Sequence, residues 1–220
     1  MSRHHLRPPH LGQNKIMLLH RFILRSALVL FLGSGQLSGA ASGDDAAALL
    51  RGSVEEVLSI AYSGHTNETL AARVRPALEK CFAFDIVTRQ AMGPGWRQFS
   101  ATEQKRVTDL FSELMIRTYS ARVVGTQRPK IVFGSPVATA SDRCEIPTRV
   151  TTSTSNDPIA VVYRMIKLPA GWRIYDVLIE GVSFVANYRA QFDELIQKGG
   201  AVAAIRTLEA KLAQPVPSNS

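Results

Sequence analysis

The segment from Gly171 to Phe192 constrains the fold more than any other part of the chain. It begins with Trp172–Ile179, in which β-branched and aromatic residues predominate, as is typical of a strand. After Glu180-Gly181 the spacing becomes helical, with one apolar face formed by Tyr188, Phe192, Leu195 and Ile196. A strand followed by an amphipathic helix without catalytic-looking side chains indicates an α+β protein that offers surface and cavity rather than chemistry.

The middle of the chain predicts an antiparallel sheet of about four strands. These are Lys130–Phe133, Cys144–Thr152, Ile159–Leu168 and Trp172–Ile179. Asn156-Asp157-Pro158 is a turn signal, and Pro169-Ala170-Gly171 predicts the hairpin between the last two strands. Both faces of Ile159–Leu168 are largely apolar, which leaves two alternatives open. Either one face lines an apolar space, or protein buries the strand on both sides.

Helices are predicted on both sides of these strands. The expected ranges are Ala46–Ala61, Leu70–Leu78, Phe82–Met92, Ser100 to about Val123, a helix carrying Tyr188 and Phe192, and Ala201–Leu212. Pro76 is expected to break the second helix, and Gly93-Pro94-Gly95 to stop the third. Ser100 and Glu103 have the spacing of a capping box that opens the longest helix. Gly199-Gly200 is a C-terminal stop signal.

The N-terminal 40 residues have the order of a secretory signal peptide. Five Lys and Arg residues and no acid precede or flank the apolar run Ala27–Leu32, and Ser38-Gly39-Ala40 supplies small residues for cleavage. The run is shorter than the roughly 20 residues that a membrane anchor needs. We therefore expect residues 1–40 to be a signal peptide, 41–212 a single domain and 213–220 a disordered tail. Met17 is an alternative start that gives a leader of more usual length.

Charge and histidine content argue against several classes of protein. The chain holds 26 Lys and Arg against 18 Asp and Glu, but without the leader the counts become 21 and 18, a net charge of +3. A nucleic-acid-binding protein usually keeps a strong basic stripe on its mature domain, so no nucleic acid is expected as a partner. His65 is the single histidine after the leader and lies in a polar turn. We expect it to be a loop residue, with no metal site, no cofactor and no catalytic centre.

Cys81 and Cys144 are the two cysteines of the chain. An oxidising compartment permits a disulfide between them. Two separately buried thiols are the alternative, because cysteine is often a small core residue. Neither alternative suggests a catalytic thiol.

The order of several segments resembles the MlaC or toluene-tolerance family of periplasmic lipid-binding proteins. The matching segments are Phe84-Asp85 through Gly93-Pro94-Gly95-Trp96-Arg97, Ser100–Tyr119, Val162–Met165, Gly171–Phe192, and Lys198-Gly199-Gly200 with Leu208-Glu209. They extend from about Phe82 to Leu212. The resemblance implies an α+β fold in which a curved antiparallel sheet packs against helices, with acyl chains held in an apolar cavity between them.

The same resemblance implies a non-enzymatic periplasmic carrier. Such a carrier shuttles phospholipid between an outer-membrane lipoprotein complex and an inner-membrane ABC transporter with its substrate-channel protein, and so maintains outer-membrane lipid asymmetry. A related branch of the family is associated with hopanoid biosynthesis, so a hopanoid-type lipid is an alternative ligand.

A lipid carrier hides acyl chains from water, at about 0.8 kcal/mol per buried methylene. The candidate lining residues are Phe111, Leu114, Met115, Val161, Tyr163, Met165, Ile174, Val177, Ile179, Phe184, Val185 and Tyr188. For each of them ordinary core packing is the alternative. Arg164 lies within an apolar strand, where an unpaired charge is costly, and is a candidate contact for the lipid headgroup. A salt bridge or an outward-facing position is its alternative.

Two other classes remain open from the residues. A cone-shaped α+β enzyme would use a buried carboxylate, for which Asp176 is the candidate, with a hydrogen-bonded structural role as the alternative. A ligand-free adaptor between envelope complexes would show a solid core without a cavity.

Overall fold

A computed structural model of the chain describes residues 40–64, 69–123, 127–152 and 155–214. The predicted signal peptide up to residue 39, His65 and the end of the predicted tail lie outside the described residues.

In the described ranges, a first group of helices is followed by the strands and then by a last helix, which is the predicted order. The helices are α1 (Ala40–Tyr62), α2 (Leu70–Cys81), α3 (Phe84–Met92), α4 (Ala101–Val123) and α5 (Phe184–Leu212), and a 3₁₀ helix (Gly93–Gln98) follows α3. The strands are β1 (Lys130–Phe133), β2 (Val137–Ala140), β3 (Arg143–Thr152), β4 (Ser155–Leu168), β5 (Gly171–Ile179) and β6 (Val182–Ser183).

The strands form one curved antiparallel sheet in the order β1-β3-β4-β5-β6, and β2 pairs with the other half of β3. The α+β class and the antiparallel sheet are therefore confirmed. The four predicted strands correspond to β1, β3, β4 and β5. The two further strands are short, with four and two residues, and lack the alternation that identifies longer strands from sequence.

The predicted turn at Asn156-Asp157-Pro158 is wrong, because these residues belong to β4. Pro158 lies opposite the register shift between Val150 and Thr152 of β3. It also precedes Val161, where the pairing of β4 with β5 begins. A residue without an N–H group is tolerated at such an irregular, singly paired position.

Pro76 does not break α2, which continues to Cys81. The proline is exposed, whereas Val74, Ala77 and Cys81 on the opposite face are buried. An internal proline costs a helix about 3 kcal/mol. Packing of the buried face offsets this cost, which propensity alone does not reveal.

The predicted capping box and the predicted stop at Gly199-Gly200 are confirmed. The Ser100 backbone N–H donates to the Glu103 carboxylate at 2.8 Å, and the Glu103 N–H donates to Ser100 Oγ at 3.3 Å. The Ser100 hydroxyl also donates to the Glu103 carboxylate at 2.7 Å, and this bond, with the one from the Ser100 N–H, lowers the pKa of Glu103. In α5 the helical geometry is interrupted at Gly199 and Gly200, and Gly200 has φ 63° and ψ −164°. The last helix of the prediction is thus the segment of α5 after this kink.

The buried apolar residues form two separate cores. The helical core joins α3, α4 and α5, and its largest member is Phe111. The sheet core joins the first turns of α1 and the end of α2 to one face of β3, β4 and β5, with Leu50, Ile146 and Met165 fully buried. We call the region between the two cores their boundary, and each core has partly buried apolar side chains packed against it.

Candidate functional site

The structure divides the predicted lining residues between the two cores. Phe111, Met115 and Val185 are buried in the helical core, and Leu114, Phe184 and Tyr188 lie partly buried against it. Met165 and Ile174 are buried in the sheet core, and Tyr163 and Val177 lie partly buried against it. Val161 is buried and Ile179 is 37% exposed, and neither belongs to the buried part of either core.

One end of the sheet carries four of the predicted lining residues, of which only Val161 is buried. In the β4–β5 register, Tyr163 pairs with Val177 and Val161 pairs with Ile179. The same strands place Met165 beside Ile174, about 13 Å farther along β4 from Val161. The structure therefore brings Val161, Tyr163, Val177 and Ile179 together and leaves Met165 and Ile174 in the closed part of the sheet core.

An aromatic cluster spans α4 and α5. Phe111 contacts Tyr188, Phe192 and Phe184 with ring centroids 4.9, 5.3 and 6.2 Å apart. Phe184 also lies 4.7 Å from Tyr188 and 5.2 Å from Tyr119. Phe184 and Tyr188 are only partly buried against the helical core. We call their uncovered ring surface the aromatic margin.

A short connection holds this aromatic margin beside the apolar end of the sheet. After β5 the chain turns through Glu180 and Gly181, both with positive φ, and β6 pairs back on Leu178 and Ile179. Helix α5 begins at the next residue, Phe184, with Ser183 as its N-cap. The aromatic margin and the end of β5 are thus neighbours, because only Glu180, Gly181 and β6 lie between Ile179 and Phe184 along the chain.

The carboxylate of Asp176 fixes this connection. It is buried and accepts hydrogen bonds from the backbone N–H groups of Val177 at 2.9 Å and Val185 at 3.0 Å, and from Ser183 Oγ at 2.7 Å. These bonds tie the first turn of α5 to β5. The contacts support the structural alternative for Asp176 rather than the enzymatic one.

Arg164 is neutralised by two carboxylates. Its guanidinium donates to Glu145 at 2.8 Å and to Asp176 at 3.2 Å, and these residues occupy paired positions on β3, β4 and β5. The Glu145 hydrogen bond is the main cause that raises the pKa of Arg164. Strand alternation places Arg164 on the sheet face opposite Tyr163 and Met165. The ion pairs therefore favour the salt-bridge alternative over a headgroup contact.

Cys81 and Cys144 are buried free thiols of the sheet core. Cys144 pairs with Met165, Met165 with Ile174, and Ile174 bridges Phe82 on its other side. Three strand spacings separate Cys144 from Phe82, about 14 Å, so Cys81 lies about 10 Å or more from Cys144. A disulfide needs Cα atoms within about 7 Å. This geometry favours the alternative of two separate thiols.

Burial controls the ionisation of two side chains in the sheet core. Desolvation raises the pKa of the Cys81 thiol from 9.0 to about 11, against a hydrogen bond with Ser53 that lowers it. Desolvation, with a smaller contribution from Cys81, raises the pKa of Tyr163 to about 12. Both groups are neutral at physiological pH, as an apolar ligand site requires.

A cleft of about 440 Å³ lies between α1 and the link from β1 to β2. Its walls are Asp44, Ala47, Ala48 and Arg51 of α1 and residues 133–136. None of the predicted lining residues belongs to this cleft. The sequence analysis missed it, although Arg51 could have indicated it by interrupting the face on which Ala47, Val54 and Leu58 follow one another at helical spacing.

Within the described ranges, no three His, Cys, Asp or Glu side chains converge on a point where they could hold a metal ion. In the same ranges, no helix combines the length and apolar character needed to cross a membrane.

The sequence model of the family described as MlaC protein matches residues 51–210. The chain belongs to the MlaC family. A solved phospholipid-binding protein from Ralstonia solanacearum, in complex with a phospholipid, is similar to it with a TM-score of 0.71 and 26% sequence identity. The similarity covers 77% of this chain and 98% of the Ralstonia chain. No curated protein matches the chain.

Proposed function

We propose that this chain is a non-enzymatic periplasmic carrier that binds a phospholipid by its acyl chains and shuttles it between the two membranes of the envelope. The observation that carries the proposal is the phospholipid complex of the Ralstonia protein, whose fold matches almost throughout its length. Membership of the MlaC family supports the same function.

The boundary between the two cores is the proposed acyl-chain site. The apolar end of the sheet at Val161 and Ile179 and the aromatic margin at Phe184 and Tyr188 supply its walls. These side chains are apolar or aromatic, and the two aromatic ones pack against the helical core. Ligand pockets for apolar molecules have this composition, with few polar groups.

The proposed partners are an outer-membrane lipoprotein complex and an inner-membrane ABC transporter with its substrate-channel protein. Residues 1–40 would direct export and then be removed. Residues 41–212 would act as one lipid-binding domain followed by a disordered tail.

Transfer of phospholipid between vesicles tests the proposal. Donor vesicles carrying a fluorescent phospholipid are mixed with unlabelled acceptor vesicles, with and without the purified protein. A carrier accelerates transfer in proportion to protein concentration, because it takes lipid out of the donor vesicle and shields the acyl chains from water during transit. Transfer that stays at the protein-free rate would contradict the proposal and favour an adaptor.

A further inference from the structure

The cleft beside α1 has the chemistry of a site for a zwitterionic phosphate. Asp44 and Arg51 lie seven residues apart, about two turns and 10.5 Å along α1, so they share one face of the helix. The cleft therefore has an anionic group near one end of its α1 wall and a cationic group near the other. Its volume of about 440 Å³ lies in the range of small-molecule sites.

Arg51 is held in a way that leaves its hydrogen-bonding edge free. Its guanidinium carbon lies over the Phe133 ring, 4.6 Å from the ring centroid, which is a cation–π contact. The five N–H donors of a guanidinium point outward in its plane and match phosphate oxygens. The contact with Phe133 thus holds the side chain at the cleft, and no ion pair in the described residues engages its donors.

Neither charge is neutralised by an opposite charge in the described part of the chain. No ion pair there involves Asp44 or Arg51, although Glu55 on the next turn of α1 pairs with Arg128 at 2.5 Å. The remaining walls supply the Ser135 hydroxyl and the apolar surfaces of Ala47, Ala48 and Pro136. A ligand that carries both a positive and a negative group would pair with both side chains, whereas an anion would pair with Arg51 alone.

We propose that this cleft binds an amine-bearing phosphate such as phosphoethanolamine, with Arg51 on the phosphate and Asp44 on the ammonium group. This inference rests on the proposed carrier function when the phosphate belongs to a lipid headgroup. The cleft and the proposed acyl-chain site share one row of the sheet, because Phe133 pairs with Thr148, Thr148 with Val161, and Val161 with Ile179. A free amino phosphate has the same recognition chemistry and is the other source of the ligand.

Competitive loading tests the lipid source. Lipid-free protein is incubated with vesicles of equal parts phosphatidylethanolamine and phosphatidylglycerol with matched acyl chains, and the bound lipid is extracted and quantified. The wild type is expected to enrich phosphatidylethanolamine, and Asp44→Asn to lower its ratio to phosphatidylglycerol about two- to fivefold, the range of an exposed ion pair. Asp45→Asn is the matched control, since Asp45 is exposed and points about 100° away around the helix.

Arg51→Gln is expected to lower the retention of both lipids by a similar factor, because both carry the phosphate, whereas Arg206→Gln on the exposed surface of α5 leaves retention unchanged. Normal loading with an unchanged lipid ratio in Asp44→Asn and unchanged retention in Arg51→Gln would overturn the site while leaving the carrier intact.

A titration with soluble ligands separates the cleft from lipid carriage. O-phosphoethanolamine and inorganic phosphate are added to isotope-labelled protein, and the amide NMR signals of Ala47–Arg51 and Gly134-Ser135 are followed. Both ligands are expected to shift these signals in the wild type, and Arg51→Gln to abolish the shifts. Asp44→Asn should weaken the response to phosphoethanolamine alone. If the wild type loads no lipid but shows these shifts, the ligand is a free amino phosphate; if it shows neither, the site is wrong.

Discussion

At the scale of single residues, Asp176 has the strongest structural role among the polar side chains of the site. Its carboxylate serves the first turn of α5, the N-cap residue Ser183 and the guanidinium of Arg164 at once. A buried carboxylate with four donors is stabilising only as long as every donor remains in place, because each lost partner leaves an unsatisfied group.

We expect Asp176→Ala to lower the free energy of unfolding by about 3–5 kcal/mol, the usual cost of removing one partner from a buried ion pair. Glu145→Gln is the matched control, because Glu145 contacts the same arginine but is a third exposed, and it should cost less than about 1 kcal/mol. Urea denaturation measures both. Equal losses in the two variants would contradict the assignment of Asp176 as the anchor of α5.

The raised pKa of the Cys81 thiol predicts that the protein becomes less stable at alkaline pH. Because burial raises its pKa from 9.0 to about 11, the unfolded chain loses this proton at a lower pH than the folded chain does. The neutral thiol contributes about 2–3 kcal/mol to the free energy of unfolding. This contribution is complete below about pH 9 and should be lost between pH 9 and 11.

Comparison of wild type with Cys81→Ala by urea denaturation at pH 8 and pH 11 isolates this contribution. The stability difference between the two proteins should shrink at the higher pH.

The free state of Cys81 and Cys144 has its own test. In unfolded, non-reduced protein both thiols should react with a thiol reagent, and their failure to react would reveal a disulfide instead.

At the scale of elements, the kink in α5 depends on glycine. Gly200 has φ 63° and ψ −164°, a conformation that is essentially restricted to glycine. The kink lets the segment from Ala201 to Leu208 return to the helical core.

Gly200→Ala is expected to destabilise the protein by about 1–3 kcal/mol, because the new side chain strains the backbone. Gly52→Ala provides the opposite control, since this glycine lies inside α1 and a methyl group added to its Cα would meet nothing within 4 Å. It should raise the free energy of unfolding by about 0.4–1 kcal/mol. Thermal unfolding followed by circular dichroism reports both, and shifts in the same direction for both variants would contradict the role assigned to Gly200.

Local sequence signals predicted the elements whose determinants are themselves local. The capping box of Ser100 and Glu103, the hairpin after Leu168 and the stop at Gly199-Gly200 each depend on neighbouring residues. The exceptions depend on tertiary contacts: α2 continues through Pro76 because its far side is buried, and β4 includes Pro158 because β3 shifts register there.

The candidate site was predictable in composition but not in arrangement. Periodicity identified apolar faces, yet it did not show that Met165 and Ile174 are closed into the sheet core while Ile179 stays open. The ion pairs of Arg164 join three strands, and no spacing along one strand predicts them. The cleft at Arg51 joins residues more than 80 positions apart.

At the scale of the whole molecule, acyl chains bound at the boundary between the two cores would distinguish a carrier from an adaptor. If acyl chains occupy the boundary, a charge placed there should impair lipid binding far more than it impairs folding. Ile179 suits this test because it lies at the boundary and is already 37% exposed.

Ile179→Asp is expected to weaken lipid binding at least about tenfold, since an unpaired carboxylate against an acyl chain costs more than about 1.4 kcal/mol. Val202→Asp is the matched control, because Val202 is 56% exposed on the last segment of α5. Retention of lipid after vesicle loading measures the effect, with circular dichroism to verify folding. Equal retention by the two variants would remove the boundary as the acyl-chain site.

Native mass spectrometry of the protein purified from the periplasm, followed by extraction of the bound molecules, tests the central claim most directly. We expect a signal-peptide-free chain carrying phospholipid in stoichiometric amount, and dissociation of that lipid should leave the protein folded. A bound hopanoid instead of phospholipid would support the carrier function but would show that the ligand is different. A lipid-free mass that persists after incubation with phospholipid vesicles would contradict the claim that this protein carries lipid.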